Sequence, residues 1–289
     1  MIHRFVLHNG RLLPIEQVRL SPGQAGLLNG WGLFTTVRVF EGQPFAFERH
    51  WKRLQKDAAR TRLPFPFDED TVRSQLGAVL RANHVTEGCA RIYVVFNKGF
   101  WASEEQAPDV DLILYSAPLP GYREPARLGL AEQGRHAASP LAGTKVTSWL
   151  ANVWNLAQAQ AGGWDEVVLL NERGEVAECT AANIFCVKGP RVFTPPLSSG
   201  CLEGITRSVL LEIGAAAGAP LQERVLRPED LYAADEVFIS STNRSVLAVG
   251  EVYGHKLPAA PGPVTRKLEQ AFAAYVREYL ALRASAARP

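Results

Sequence analysis

Lys145, in Leu-Ala-Gly-Thr-Lys, and Glu178, in Val-Ala-Glu-Cys-Thr-Ala-Ala-Asn, precede a Gly204-Ile205-Thr206-Arg207 tetrapeptide that opens an apolar helical run. A lysine amine whose pKa is lowered by burial or a nearby cation forms a Schiff base with a carbonyl carbon. Glu178 lies two places from Val176 on an alternating strand, so the two share a face. Turned toward a core, such a carboxylate needs a cationic or hydrogen-bonding partner, and a protonated ring nitrogen is one. The tetrapeptide offers a phosphate free backbone amides, a threonine hydroxyl and the positive end of a helix dipole. Ser240-Ser241-Thr242-Asn243, at a strand end, adds hydroxyl and amide donors, and Arg53, beside His50 and Trp51, adds counter-charge. Each part also has an ordinary reading: a solvated lysine, an edge-strand glutamate facing water, a helix start that binds nothing, an exposed arginine on a basic helix. Their joint presence points to a phosphorylated aromatic carbonyl compound.

These residues need elements to hold them. Short strands are expected at Phe5–Leu7 and Arg11–Pro14 around an Asn9-Gly10 turn, then an aromatic and β-branched strand over 30–40. Glu41-Gly42 reads as a hairpin turn into Pro44–Phe47. Helical spacing follows over 48–62, with Trp51, Leu54 and Ala58 on one face, and over 70–82 behind an acidic first turn. Strands at 90–96 and 110–116 complete an α+β unit spanning 1–117. The proline-rich stretch 118–126 reads as a linker, and 127–289 as a second domain. There a helix over 149–161 leads into a β-meander of 166–170, 176–180, 184–187 and 192–194. A helix over 206–217 ends at Gly218 as C-cap, and 265–281 forms a closing amphipathic helix.

Composition narrows the function classes. The 289 residues are 47% hydrophobic and 21% charged, enough for two modest cores. A net charge of +2 with interspersed signs gives no footprint for nucleic acid or an anionic membrane. Arg277, Arg283 and Arg288 read as a solvated helix face and tail. No apolar run reaches the length of a membrane span. Four cysteines form no CxxC pair, and six scattered histidines form no zinc signature, so a reduced cytoplasmic protein without a metal is expected. Cys201 precedes a helix start, where a thiol pKa can fall, but with no histidine near it in sequence a packed cysteine is the ordinary reading.

Read as a set, the chain resembles the fold-type IV (class IV) pyridoxal-phosphate enzymes, which include branched-chain and D-amino-acid aminotransferases and aminodeoxychorismate lyases. The resemblance runs from Gly30-Trp31-Gly32-Leu33-Phe34 to Thr265-Arg266-Lys267-Leu268. It includes His50-x-x-Arg53-Leu54, Lys145, Glu178 to Asn183-Ile-Phe, Thr194-Pro-Pro, Leu202 to Arg207 and Ala234 to Thr242. It implies an α+β, two-domain fold of the D-amino-acid-aminotransferase type, with pyridoxal 5'-phosphate between the domains. It further implies Lys145 as the Schiff-base lysine and proton shuttle, and Glu178 against the pyridine nitrogen. Arg53, Ile205, Thr206, Ser241 and Thr242 would hold the phosphate, Leu202 would pack on the ring, and Asn183 would sit close by. The family's usual assembly is a homodimer.

Substrate-side residues give no single answer. Where branched-chain enzymes carry a Tyr-Ile-Arg-Pro-like strand, this chain has Ala90-Arg91-Ile92-Tyr93, and Leu150 stands where they place a tyrosine. Ile92 to Gly99 is similar to the D-amino-acid enzymes, with Lys98 in place of their carboxylate-binding arginine and Phe34 in place of a tyrosine. Phe34-Thr35-Thr36-x-Arg38 and Cys179-Thr-Ala-Ala-Asn183 look like the lyase, which releases pyruvate and 4-aminobenzoate. Phe34, Thr36, Arg91 and Lys98 are therefore the candidate substrate-binding residues. The leading expectation is a transaminase acting on an amino acid or amine and a 2-oxo acid. The lyase, and a catalytically silent cofactor-binding scaffold, are the alternatives.

Overall fold

The computed structural model describes residues 1–98 and 109–286. Gly99 and Arg288, named above, lie outside them. The chain divides into two compact units. One holds Met1–Pro120 with Thr144–Trp149, the other Gly121–Gly143 with Leu150–Pro289. The segment around Lys145 thus belongs to the first unit, although a single boundary at 118–126 would assign it to the second.

Among the described residues, the first unit is built on a six-stranded antiparallel sheet. Its order is Arg11–Pro14, Phe5–His8, Val110–Ala117, Gly88–Phe96, Gly32–Phe40 and Gln43–Pro44. Alternation along Gly32–Phe40 sends Leu33, Val37 and Val39 to one face, where Trp51, Leu54, Leu76 and Val79 of helices Phe47–Thr61 and Glu69–Ala82 cover them. Asp68 caps the second helix by accepting the Thr71 amide at 2.9 Å. The strand expected at Pro44–Phe47 stops at Pro44, because Ala46 turns the chain into the helix and Phe47 enters the core.

The second unit holds a nine-stranded mixed sheet among the described residues. Its order is Leu221–Glu223, Arg191–Thr194, Asn183–Lys188, Glu236–Ser241, Ser245–Val252, Ala126–Ala131, Glu166–Leu170 and Val176–Cys179, with His255–Lys256 paired to Ser245–Val252. The expected meander is broken. Val176–Cys179 pairs with Glu166–Leu170 and Asn183–Lys188 with Glu236–Ser241, so the consecutive strands are not neighbours. Five sheet steps separate them, roughly 24 Å if the sheet were flat. Four chain steps reach at most about 14 Å. The sheet therefore curls, which brings Glu178 and Asn183 to the same end. Ala126–Ala131, read within and just after the linker, is a central strand running parallel to Glu166–Leu170. The helix expected to reach residue 217 ends at Ile213, where the chain turns to lay Leu221–Glu223 beside Arg191–Thr194. Among the described residues no helix is long and apolar enough to cross a membrane, and no group of three or more His, Cys, Asp or Glu could hold a metal.

Candidate functional site

Lys145 is fixed to the first unit by its backbone. The Phe34 amide donates to the Lys145 carbonyl at 3.1 Å, and the Thr147 amide to Gly32 O at 2.9 Å. The Thr147 hydroxyl donates to Gly30 O at 2.9 Å, and Val146 bridges Leu33. Gly30 and Gly32 are small because this segment lies on them. A Cβ on Gly30 would come 2.7 Å from Ser148 Cβ, and one on Gly32 2.9 Å from Thr147 Oγ1. The glycine pair thus serves close backbone approach. Lys145 Nζ lies over the Phe34 ring, 4.4 Å from its centroid.

Helix Phe47–Thr61 presents buried polar groups to the same strand. Arg53 Nη2 donates to Thr35 Oγ1 at 3.0 Å, and the same hydroxyl hydrogen-bonds His50 Nδ1 at 2.8 Å. Burial, then the charges of Arg53 and Lys145, hold the His50 imidazole well below its ordinary pKa, so it is neutral. Arg53 is 8% exposed, unlike an arginine on a solvated face. Thr35 and His50 were not among the expected site residues, although both stand in motifs that carried the resemblance.

The opposite face of the sheet carries the substrate-side candidates. Phe34 pairs with Tyr93 and Thr36 with Arg91. Phe34 stacks on Tyr93 at 5.3 Å and meets the edge of Trp149 at 6.1 Å, and Tyr93 stacks on Tyr115 at 5.7 Å. Arg91 Nη1 donates to the Tyr93 and Tyr115 hydroxyls at 3.2 and 3.4 Å, and no carboxylate pairs with it among the described residues. Burial, then the Tyr93 contact, push the Tyr115 phenol well up, so its hydroxyl stays neutral. Lys98 is instead half-exposed and paired with Asp109 at 2.5 Å.

In the second unit Glu178 is 7% exposed although its strand ends the sheet. Its partner within the chain is Arg135, whose Nε donates to Oε1 at 3.0 Å. The Leu202 amide donates to Oε2 at 3.1 Å. Arg135 Nη1 also donates to Asn152 Oδ1 at 2.8 Å, and Asn152 Nδ2 to Thr180 O at 2.6 Å. Neither Arg135 nor Asn152 was expected, since nothing in their local sequence marks them. A carboxylate with two donors keeps lone pairs for a third, as a ring N–H requires.

The candidate anion-binding elements lie in the same unit. Asn183 Nδ2 donates to Leu202 O at 2.9 Å, and a Cβ on Gly204 would fall 2.0 Å from Asn183 Oδ1, so only glycine fits there. Helix Ile205–Ile213 has no side-chain cap, and the Ile205 and Thr206 amides find no acceptor among the described residues. The Ser240 hydroxyl, in register with Asn183, is buried without a partner. Ser241 Oγ accepts the Arg244 amide at 3.2 Å. Arg244 in turn reaches Ala181 O at 3.0 Å and Glu166 Oε2 at 2.9 Å, tying that turn to the Thr180–Asn183 segment. A phosphate fits this set of unused donors. Two residues near the site do not serve it. Arg207 is buried against Pro195 O and Glu223, and burial, then Glu178, push the Cys201 thiol up to about 12, the reverse of activation.

Comparison with known proteins identifies the family. Residues 32–252 match the family model described as amino-transferase class IV. The chain is 27% identical to the branched-chain-amino-acid aminotransferase of Escherichia coli (strain K12) over 285 residues, covering 93% of this chain and 91% of that one. It is 28% identical to the D-alanine aminotransferase of Bacillus licheniformis over 276 residues, covering 92% and 95%. The crystal structure of the branched-chain aminotransferase from Thermoproteus uzoniensis with norvaline superposes with a TM-score of 0.89 at 28% identity, covering 96% and 98%. The chain belongs to the class IV aminotransferases, a family of pyridoxal-phosphate-dependent transaminases of fold type IV.

Proposed function

We propose that the protein transfers an amino group between an aliphatic amino acid and a 2-oxo acid, with Lys145 as the Schiff-base lysine and proton carrier. Pyridoxal phosphate, when bound, supplies the electron sink. Glu178 takes the ring nitrogen, Leu202 packs on the ring, and Asn183 holds the Leu202–Gly204 turn. Arg53, the Ile205 and Thr206 amides, the Thr206 hydroxyl, Ser241 and Thr242 take the phosphate. The observation that carries the substrate assignment is Arg91, a half-buried guanidinium backed by two tyrosine hydroxyls and no carboxylate among the described residues. Such a cation favours a substrate carboxylate, and the Phe34, Tyr93 and Trp149 rings beside it favour an apolar side chain. Thr36, cross-strand from Arg91, lies on the same face. Since Lys98 is taken up by Asp109, the carboxylate is assigned to Arg91 instead.

Initial rates with aliphatic amino acids and a 2-oxo acid test this reading. Arg91→Met is expected to raise KM for both by about 10-fold or more, the value of a lost charge-assisted hydrogen bond. An amine donor without a carboxylate should keep its KM. Equal KM values in variant and parent would remove Arg91 from the assignment.

The same reading makes the protein a cytoplasmic homodimer. Its four cysteines are buried and unbridged, which supports a reducing compartment. Helix Leu150–Ala161 turns Asn152 and Ala159 inward and leaves Leu150, Val153 and Trp154 79%, 52% and 63% exposed on one face. An apolar stripe of this kind supports pairing with a second copy. Trp154→Glu should shift the sedimenting species from dimer to monomer. A variant that sediments as a dimer at the parent's concentration dependence counts against this face.

A further inference from the structure

Asp57 is a buried carboxylate that the proposed chemistry does not use. It is 3% exposed, and its Oδ2 accepts the backbone amide of Lys145 at 3.2 Å, across 88 residues of sequence. Burying a carboxylate is costly unless donors reach it, and here one donor is the peptide of the lysine itself. Asp57 stands four residues after Arg53 on helix Phe47–Thr61, so both project from one helix face. The Lys145 peptide is therefore held twice, its carbonyl by the Phe34 amide and its N–H by Asp57. Only the second hold depends on a side chain.

We propose that Asp57 is a positioning residue for Lys145: it fixes the lysine's peptide to the helix that carries Arg53, so that the amine and the phosphate-binding guanidinium share one rigid support. This rests on the assignment of Lys145 as the Schiff-base lysine. The charged groups facing Asp57 are Arg53, Lys56 and Arg60 from its own helix, and Lys145 reaches it through its backbone amide. Burial raises the Asp57 pKa, and the Lys145 amide and these cations oppose the rise.

Three measurements test this. In cofactor-free Asp57→Ala, hydrogen exchange at the Lys145 amide should quicken while amides of Gly88–Phe96 keep the parent's rates. In the loaded variant kcat should fall by about 10-fold or more with KM within about twofold, as expected when a reacting group is misplaced but substrate contacts are kept. Asp57→Asn keeps the shape and an acceptor oxygen, so its Lys145 amide should exchange nearly as in the parent. Unchanged Lys145 exchange and kcat in Asp57→Ala overturn the proposal. If that variant does not fold, Asp57→Leu decides, since it fills the space but offers no acceptor: Lys145 amide exchange equal to the parent's overturns the proposal. Failure of the underlying reading is separately visible, since borohydride reduction of the parent would then attach the cofactor to a lysine other than Lys145.

Discussion

Lys145→Ala is expected to lose all borohydride-stable attachment of the cofactor and at least about 10³-fold in kcat, the upper range for removing a positioned proton carrier. The effect is large because the proposed function puts two roles on one amine, attachment and proton movement. The loss should not be one of folding. Lys145 is held through its peptide, by the Phe34 amide and Asp57, and an alanine keeps both hydrogen bonds. The side chain's placement over the Phe34 ring is worth about 0.5–1 kcal/mol at a partly exposed site. Melting temperatures of the cofactor-free variant and parent should therefore agree within a few degrees. An alanine protein that still forms a reducible linkage, or retains full turnover, would place the chemistry on another lysine.

The peptide-level hold on Lys145 also marks what the sequence carries and what it does not. The strand Gly32–Phe40 and helix Phe47–Thr61 were legible because alternation and helical spacing are local signals. Arg53 and Glu178 were legible as candidates because their motifs carry a family resemblance, and both prove buried. Their partners were not. Arg135 reaches Glu178 across 43 residues and Asp57 reaches Lys145 across 88, and such pairings exist only once the sheet order is set. That order was misread where 176–180 and 184–187 read as consecutive strands of a meander, because a curled sheet can join strands that never pair. The strand Ala126–Ala131 was hidden by the prolines before it, which mark a boundary without specifying the element beyond it. The return of Thr144–Trp149 to the first unit was invisible for a related reason: its hydrogen bonds go to distant backbone and to Asp57.

Arg135→Met should cost the cofactor-free protein about 3–5 kcal/mol, the penalty for leaving one member of a buried ion pair uncompensated. Glu178 is 9% exposed at its side chain and Arg135 19%, so water screens the pair little. The Leu202 amide alone would then face the carboxylate, and Asn152 Oδ1 would lose its donor. The double variant Arg135→Met, Glu178→Gln should regain most of the loss, because the orphaned charge is removed with its partner. Loaded with pyridoxal phosphate, the single variant should regain part of it too, since a ring N–H against Glu178 replaces the missing donor. Urea unfolding of parent, single and double variants, each with and without cofactor, reads all of these terms. A single variant no less stable than the double one removes the argument that Glu178 is held as an ionised carboxylate by Arg135. A cofactor effect equal in parent and single variant removes the argument that the ring nitrogen meets Glu178. The two outcomes are independent, so the ion pair and the cofactor contact are tested by one set of proteins.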